Sequence, residues 1–157
     1  MIFRPVSKYS LVNAKVRARL STLLSPEQID RLADTRDLAE FYSALSGTLY
    51  EDLFDQPEIA FDPRVGERLL LEREIEWHAE LLKDVKGAER ELVSTFLEKY
   101  EIENLKTALR IREGHRDLEE MKYMVRRQLP YSLPFQAIAE AGSLEEAVSF
   151  LHGTPYL

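Results

Sequence analysis

The sequence contains no cysteine. Disulfides, thiolate metal sites and a cysteine nucleophile are therefore excluded, and the composition fits the reducing cytoplasm. No apolar run approaches the ~20 residues needed to span a bilayer. The start, Met1-Ile2-Phe3-Arg4-Pro5, lacks the longer apolar core of a signal peptide, so neither membrane crossing nor export is expected. Excess positive charge is also missing: the formal net charge is −7 over 157 residues. The basic groups are small, namely Arg126-Arg127 and Lys15, Arg17 and Arg19, so a nucleic-acid partner is not expected. There is no Gly-rich phosphate loop and no nucleophile signature. No stretch alternates apolar and polar residues as a strand would.

What remains is helical pattern. Apolar residues make up 45% of the chain, enough for a core. They recur three to four positions apart from Tyr9 to Leu24, through Leu11, Val12, Val16, Leu20, Leu23 and Leu24. Ser25-Pro26-Glu27-Gln28 reads as a helix start with a capping box and proline at the first position, carrying Ile29, Leu32 and Ala33 inward. Asp37 to Leu45 is a short helix that Gly47 stops, and Thr48 caps a further turn over Leu49 to Phe54. Gln56-Pro57 and Asp62-Pro63 punctuate the next stretch. Pro63 opens a long helix toward Gly87, burying Leu69, Leu70, Ile75, Leu81 and Leu82. A second runs from Ala88 to Arg112, burying Leu92, Val93, Phe96, Leu97, Tyr100, Leu105 and Leu109, with Gly114 as its stop. Helix is expected again over Asp117 to Leu129 and over Pro134 to Ala141. Ser143-Leu144-Glu145-Glu146 reads as another capping box, with Leu144, Val148 and Leu151 inward.

The chain also echoes itself. Residues 37–50 align with residues 143–156, matching at Leu38/Leu144, Glu40/Glu146, Ser43/Ser149, Leu45/Leu151, Gly47/Gly153, Thr48/Thr154 and Tyr50/Tyr156. A looser match relates Asn13-Ala14-Lys15-Val16-Arg17-Ala18-Arg19 to Asn104-Leu105-Lys106-Thr107-Ala108-Leu109-Arg110. Similarity at a fixed offset is how repeated architectures appear in sequence. The expectation is an all-α, multi-helix bundle built from two related helical repeats, with residues 1–62 as the first repeat. Residues 63–157 would carry the long helices and the second repeat.

Candidate chemistry is sparse. Glu74 and His78 share a helical face, but His115 and His152 are remote in sequence and no converging ligand set is apparent. Glu72, Glu74, Glu76 and Glu80 lie among Arg73 and His78, the pattern of a solvated face. Trp77 reads as core. Arg17, Arg19, Arg110 and Arg112 follow the matched asparagines; they pair with nearby carboxylates or contact an acidic partner. No catalytic residue, cofactor or metal ligand is assigned.

Three motifs resemble one family. Tyr9-(x3)-Asn13-Ala14-Lys15-Val16-Arg17-Ala18, then Leu45-(x2)-Thr48-Leu49-Tyr50, then Tyr100-Glu101-Ile102-Glu103-Asn104-Leu105-Lys106-Thr107-Ala108-Leu109-Arg110 are similar to the C subunit of the A/V-type rotary ATPases, whose V-type counterpart is the d subunit. The resemblance implies an all-helical funnel of three repeats. It implies a non-catalytic rotor component on the cytoplasmic face, linking the central stalk to the membrane rotor ring in support of ion transport. Family members run to about twice this length, so a short or partial member is implied. The alternative function is a stand-alone helical protein–protein interaction module.

Overall fold

The computed structural model describes residues 4–53 and 62–157. The expected stop at Gln56-Pro57 and the end of the turn at Phe54 lie outside the described residues. Among the described residues every regular element is helical. The α-helices are α1 (Arg4–Leu20), α2 (Pro26–Ala33), α3 (Leu38–Ala44), α4 (Pro63–Leu81), α5 (Ala88–Arg112), α6 (Phe135–Glu140) and α7 (Leu144–Ser149). Short 3₁₀ helices occupy Glu51–Leu53 and Leu118–Tyr123. The chain divides into two compact units, residues 1–70 and 71–157.

In the first unit the capping chemistry forms as the sequence dictates. Ser25 Oγ accepts from the Gln28 N–H at 3.3 Å, and Gln28 Oε1 accepts from the Ser25 N–H at 2.8 Å, a complete capping box. Asp37 caps α3 by accepting from the Glu40 N–H at 2.8 Å. α2 packs against α3, and Leu45, Leu53, Val65 and Leu69 are buried. Leu11, Leu20, Leu23 and Ile29, all expected inside, are exposed. The half-buried stripe of α1 is Tyr9, Val12, Val16 and Arg19, so its apolar arc is wider than the surface covering it.

The second unit is better packed. Leu105, Ala108 and Ile111 of α5 meet Ile138 and Ala139 of α6, Ala147 of α7, and Met124, Leu133 and Leu151 in one core cluster. Ile75, Leu97, Tyr100, Val125 and Leu129 form a second cluster. α4 ends at Leu81, before Gly87, whose φ of 61° starts α5. Only the stretch of α5 from Leu97 onward is deeply covered, so Leu92 and Phe96 are exposed despite helical spacing. Leu70 and Leu144 are exposed as well; Ala147 and Leu151 carry the contact of the last helix.

The helix expected over Asp117 to Leu129 does not form as such. The backbone makes a 3₁₀ helix through Tyr123 and turns extended at Met124, with φ −68° and ψ 144°. From Met124 to Leu133 it runs as an irregular strap, pinned by side chains of α4 and α5.

Burial sets the expected ranking of substitutions. Ile138 is fully buried, so Ile138→Ala should cost about 3 kcal/mol by lost transfer energy and a residual cavity. Ile29→Ala, at an exposed site, should cost about 0.5 kcal/mol or less. Urea unfolding followed by far-ultraviolet circular dichroism checks both, and equal costs would contradict this packing.

Candidate functional site

Three buried polar side chains interrupt the apolar stripes of the long helices: Glu72 at 6%, Glu101 at 0% and Asn104 at 4% exposure. Each faces main chain. Glu101 accepts from the Tyr131 N–H at 3.0 and 3.2 Å through its two oxygens, and from the Leu133 N–H at 3.3 Å. The Asn104 amide donates to the Val125 carbonyl at 2.9 Å and accepts from the Val125 N–H at 3.3 Å. Glu72 accepts from the Arg126 N–H at 2.8 Å. Buried backbone groups without partners are costly, so these bonds are what allows a non-helical strap to lie on the core. Ser132, between two of the donors, has φ 51°. That left-handed conformation costs about 1–2 kcal/mol for a residue with Cβ. It aims the flanking N–H groups at one carboxylate, as in an anion-binding nest.

The strap is tied at its surface too. Arg127 Nη2 lies 2.7 Å from Glu76 Oε1, and the Tyr131 hydroxyl donates to Glu98 Oε1 at 3.3 Å. Thus Glu72 and Glu76, read from sequence as part of a solvated face, hold the strap instead; Glu74 and Glu80 are exposed. The Tyr131 and Tyr156 rings meet edge to face with centroids 5.5 Å apart, joining the strap to the last turn. Burial, with Glu101 and Glu98 nearby, raises the Tyr156 pKa. Burial, with Glu74 adding to it, pushes Tyr100 up to about 12.

The last turn has a counterpart in the first unit. Thr48 Oγ1 donates to the Leu45 carbonyl at 2.6 Å and accepts from the Tyr50 N–H at 3.2 Å. Thr154 Oγ1 donates to the Leu151 carbonyl at 2.7 Å and accepts from the Tyr156 N–H at 3.3 Å. Gly47 and Gly153 take φ 75° and 81°, where L-residues are disfavoured. Upstream, Glu40 accepts from the Arg36 N–H at 2.9 Å and Glu146 from the Gly142 N–H at 2.8 Å. Ser143 caps α7 through the Glu146 N–H at 3.1 Å, but Glu146 reaches Gly142 rather than the Ser143 N–H of a capping box.

The four candidate arginines are not gathered by any one unit. Arg17 is exposed and Arg19 half-buried on α1. Arg110 is exposed on α5, and its side chain makes no hydrogen bond or ion pair among the described residues. Arg112 turns inward, donating from Nε to the Ser143 carbonyl at 3.2 Å and pairing with Glu113, which ties α5 to the start of α7. His78 Nδ1 lies 2.8 Å from the Glu74 carbonyl rather than its carboxylate. No cluster of metal-ligating side chains occurs among the described residues. Trp77 is half-buried. An open groove of about 1150 Å³ between the 3₁₀ helix and α6 is lined by Met121, Met124, Phe135, Lys122, Arg126 and Glu140. No helix among the described residues is long and apolar enough to cross a membrane.

Sequence reading pointed to arginines and missed Glu72, Glu101 and Asn104. The signal was present: Leu97, Glu101, Asn104, Leu105, Ala108 and Ile111 share one helical stripe, in which two polar residues stand where apolar ones are expected.

Comparison with known proteins bears on these motifs. The family model "ATP synthase (C/AC39) subunit" matches residues 12–157. The chain is 27% identical over 149 residues to an A-type ATP synthase C subunit from Thermococcus kodakarensis, covering 94% of this chain and 40% of that protein. It is 31% identical over 163 residues to one from Thermococcus gammatolerans, covering 99% and 41%. The match to one from Methanosphaera stadtmanae is 28% over 163 residues, covering 98% and 39%. The chain thus spans about two fifths of the length of the curated relatives it matches. No solved structure matches at a significant level.

Removing the brace should be costly. Glu101→Ala leaves the Tyr131 and Leu133 N–H groups without their acceptor and should cost about 3 kcal/mol or more. Glu101→Gln keeps one carbonyl acceptor and should cost less. A loss under about 1 kcal/mol for the alanine variant in urea unfolding would contradict the brace. Tyr100 gives a pH test. Its folded pKa, about 12, lies above the unfolded value of about 10. Between those values the folded state holds a proton that the unfolded state has lost, so stability falls as pH rises through the window. Tyr100→Phe should flatten the decline, measured by urea titrations at stepped alkaline pH.

Proposed function

Because the chain belongs to the ATP synthase (C/AC39) subunit family, we propose that it is a non-catalytic coupling subunit of an A/V-type rotary ATPase. It links the central stalk to the membrane rotor ring and so supports ion transport. It works at the cytoplasmic face, peripheral to the membrane through the complex. The observation that carries this reading is the match over residues 12–157, which includes the strap, its brace and the final turn. The brace supports it physically. A part that passes torque between two machines must resist shear, and Glu101 and Asn104 spend their polarity on fixing an irregular segment to a long helix.

The proposal includes two related helical repeats, residues 1–62 and the later part of 63–157. The equivalent Thr48 and Thr154 turns support it, each closing a pair of short helices with the same hydrogen bonds. Partner contact is assigned to Arg17, Arg19, Arg110 and Arg112, with the guanidinium of Arg110 standing unpaired among the described residues and Arg112 doubling as a tie to α7.

Co-expression tests the reading. The full chain should co-purify with tagged stalk proteins and with rotor-ring proteins, and should hydrolyse no ATP alone. Binding to neither, or ATP hydrolysis by the purified chain, would overturn it.

A further inference from the structure

Glu101 is fully buried and stands without a counter-charge. It accepts from the Tyr131 and Leu133 N–H groups, and no Lys, Arg or His pairs with it among the described residues. A carboxylate offers about four acceptor positions. Its Oε2 receives a single N–H, that of Tyr131 at 3.0 Å, so it is only part-filled. A second group close by is also incomplete. The Tyr156 hydroxyl is shut off from solvent and makes no hydrogen bond among the described residues. Burial first, and then the carboxylates of Glu101 and Glu98, disfavour its ionisation. A buried donor without an acceptor thus stands near a buried acceptor with room for one.

The segments that carry them are already joined. Tyr131 gives its N–H to Glu101 and its hydroxyl to Glu98 at 3.3 Å, and its ring meets that of Tyr156 edge to face with centroids 5.5 Å apart. The Tyr156 N–H is fixed on Thr154 Oγ1 at 3.3 Å, so the ring and its hydroxyl are what can move. An unpaired buried hydroxyl is costly, and a hydrogen bond to Glu101 removes that cost. The first unit differs here. Laying Asn13 on Asn104 puts Ser10 of α1 where α5 has Glu101, so that unit carries the matching turn without this carboxylate.

We propose that the last turn is a latch on the strap: the Tyr156 hydroxyl swings onto Glu101 and donates to Oε2, fixing the carboxylate that holds Tyr131 and Leu133. With the latch closed, this half of the strap is held from two sides. When the last turn is drawn away, Tyr131 and Leu133 loosen, while Val125 and Arg126 stay on Asn104 and Glu72. The stiffness of the strap thereby answers to a pull on the final turn. The latch lies wholly within the second unit and does not depend on the coupling role proposed above.

The test is Tyr156→Phe in the full chain, which removes the hydroxyl and keeps the ring contact. With a working latch, the variant unfolds at lower urea than wild type. Its Tyr131 and Leu133 amides should exchange with solvent about tenfold faster, the worth of a hydrogen bond to a buried charged group. Val125 and Arg126 should accelerate less. Glu101→Gln replaces the charged acceptor with a neutral amide, so adding Tyr156→Phe to it should speed the same two amides by no more than about threefold. A hydroxyl that stays unpaired gives the opposite sign: Tyr156→Phe then unfolds at the same or higher urea, with exchange at Tyr131 and Leu133 unchanged or slower, and the latch is overturned. Equal acceleration of all four strap amides overturns it too, because the loosening is then general. So does an undiminished effect in the Glu101→Gln background, which places the partner of the hydroxyl elsewhere.

Discussion

An irregular segment can lie on a helical core only if its peptide groups find partners there. Here Glu72, Glu101 and Asn104 supply them, from positions on α4 and α5 that would otherwise carry apolar side chains. Four amides, those of Val125, Arg126, Tyr131 and Leu133, are satisfied in this way. The rest of the second unit follows. Val125 and Leu129 are drawn into one core cluster and Met124 and Leu133 into the other, and α6 begins where the strap delivers the chain. Tyr131 then offers its ring to Tyr156, so the final turn is docked through the same segment.

Much of the fold was legible because helix ends are written in local chemistry. Ser25, Asp37 and Ser143 cap where their spacing to Gln28, Glu40 and Glu146 says they should, and Gly47 and Gly153 take the left-handed turn. The strap was not legible, for a specific reason. Leu118, Met121, Met124, Val125 and Leu129 are spaced as a helix would space them, yet tertiary bonds from residues 21 or more positions away hold the backbone extended. Local pattern cannot anticipate such long-range partners, although the polar intruders in the α5 stripe announce that something non-helical needs them. Exposure was misjudged for a related reason. Leu11, Leu20, Leu92 and Phe96 have helical spacing, but spacing identifies an apolar face without saying that this chain covers it.

The same facts shape the functional reading. The residues quoted for family resemblance, Tyr100 through Arg110, include both braces on α5, so the motif is in part a rule for building a stiff second unit. Arg112 serves the interior, whereas Arg17 and Arg110 point outward. The coupling role proposed above calls for such a division, with a rigid interior and outward-facing charged side chains left for neighbouring proteins.

Native-state amide hydrogen exchange, resolved by residue, addresses the brace most directly. If side chains of the long helices hold the strap, the amides of Val125, Arg126, Tyr131 and Leu133 exchange as slowly as those of the buried stretch of α5, despite lying outside any helix. Exchange of all four at the rate of exposed loops, with α5 still protected, would contradict the account.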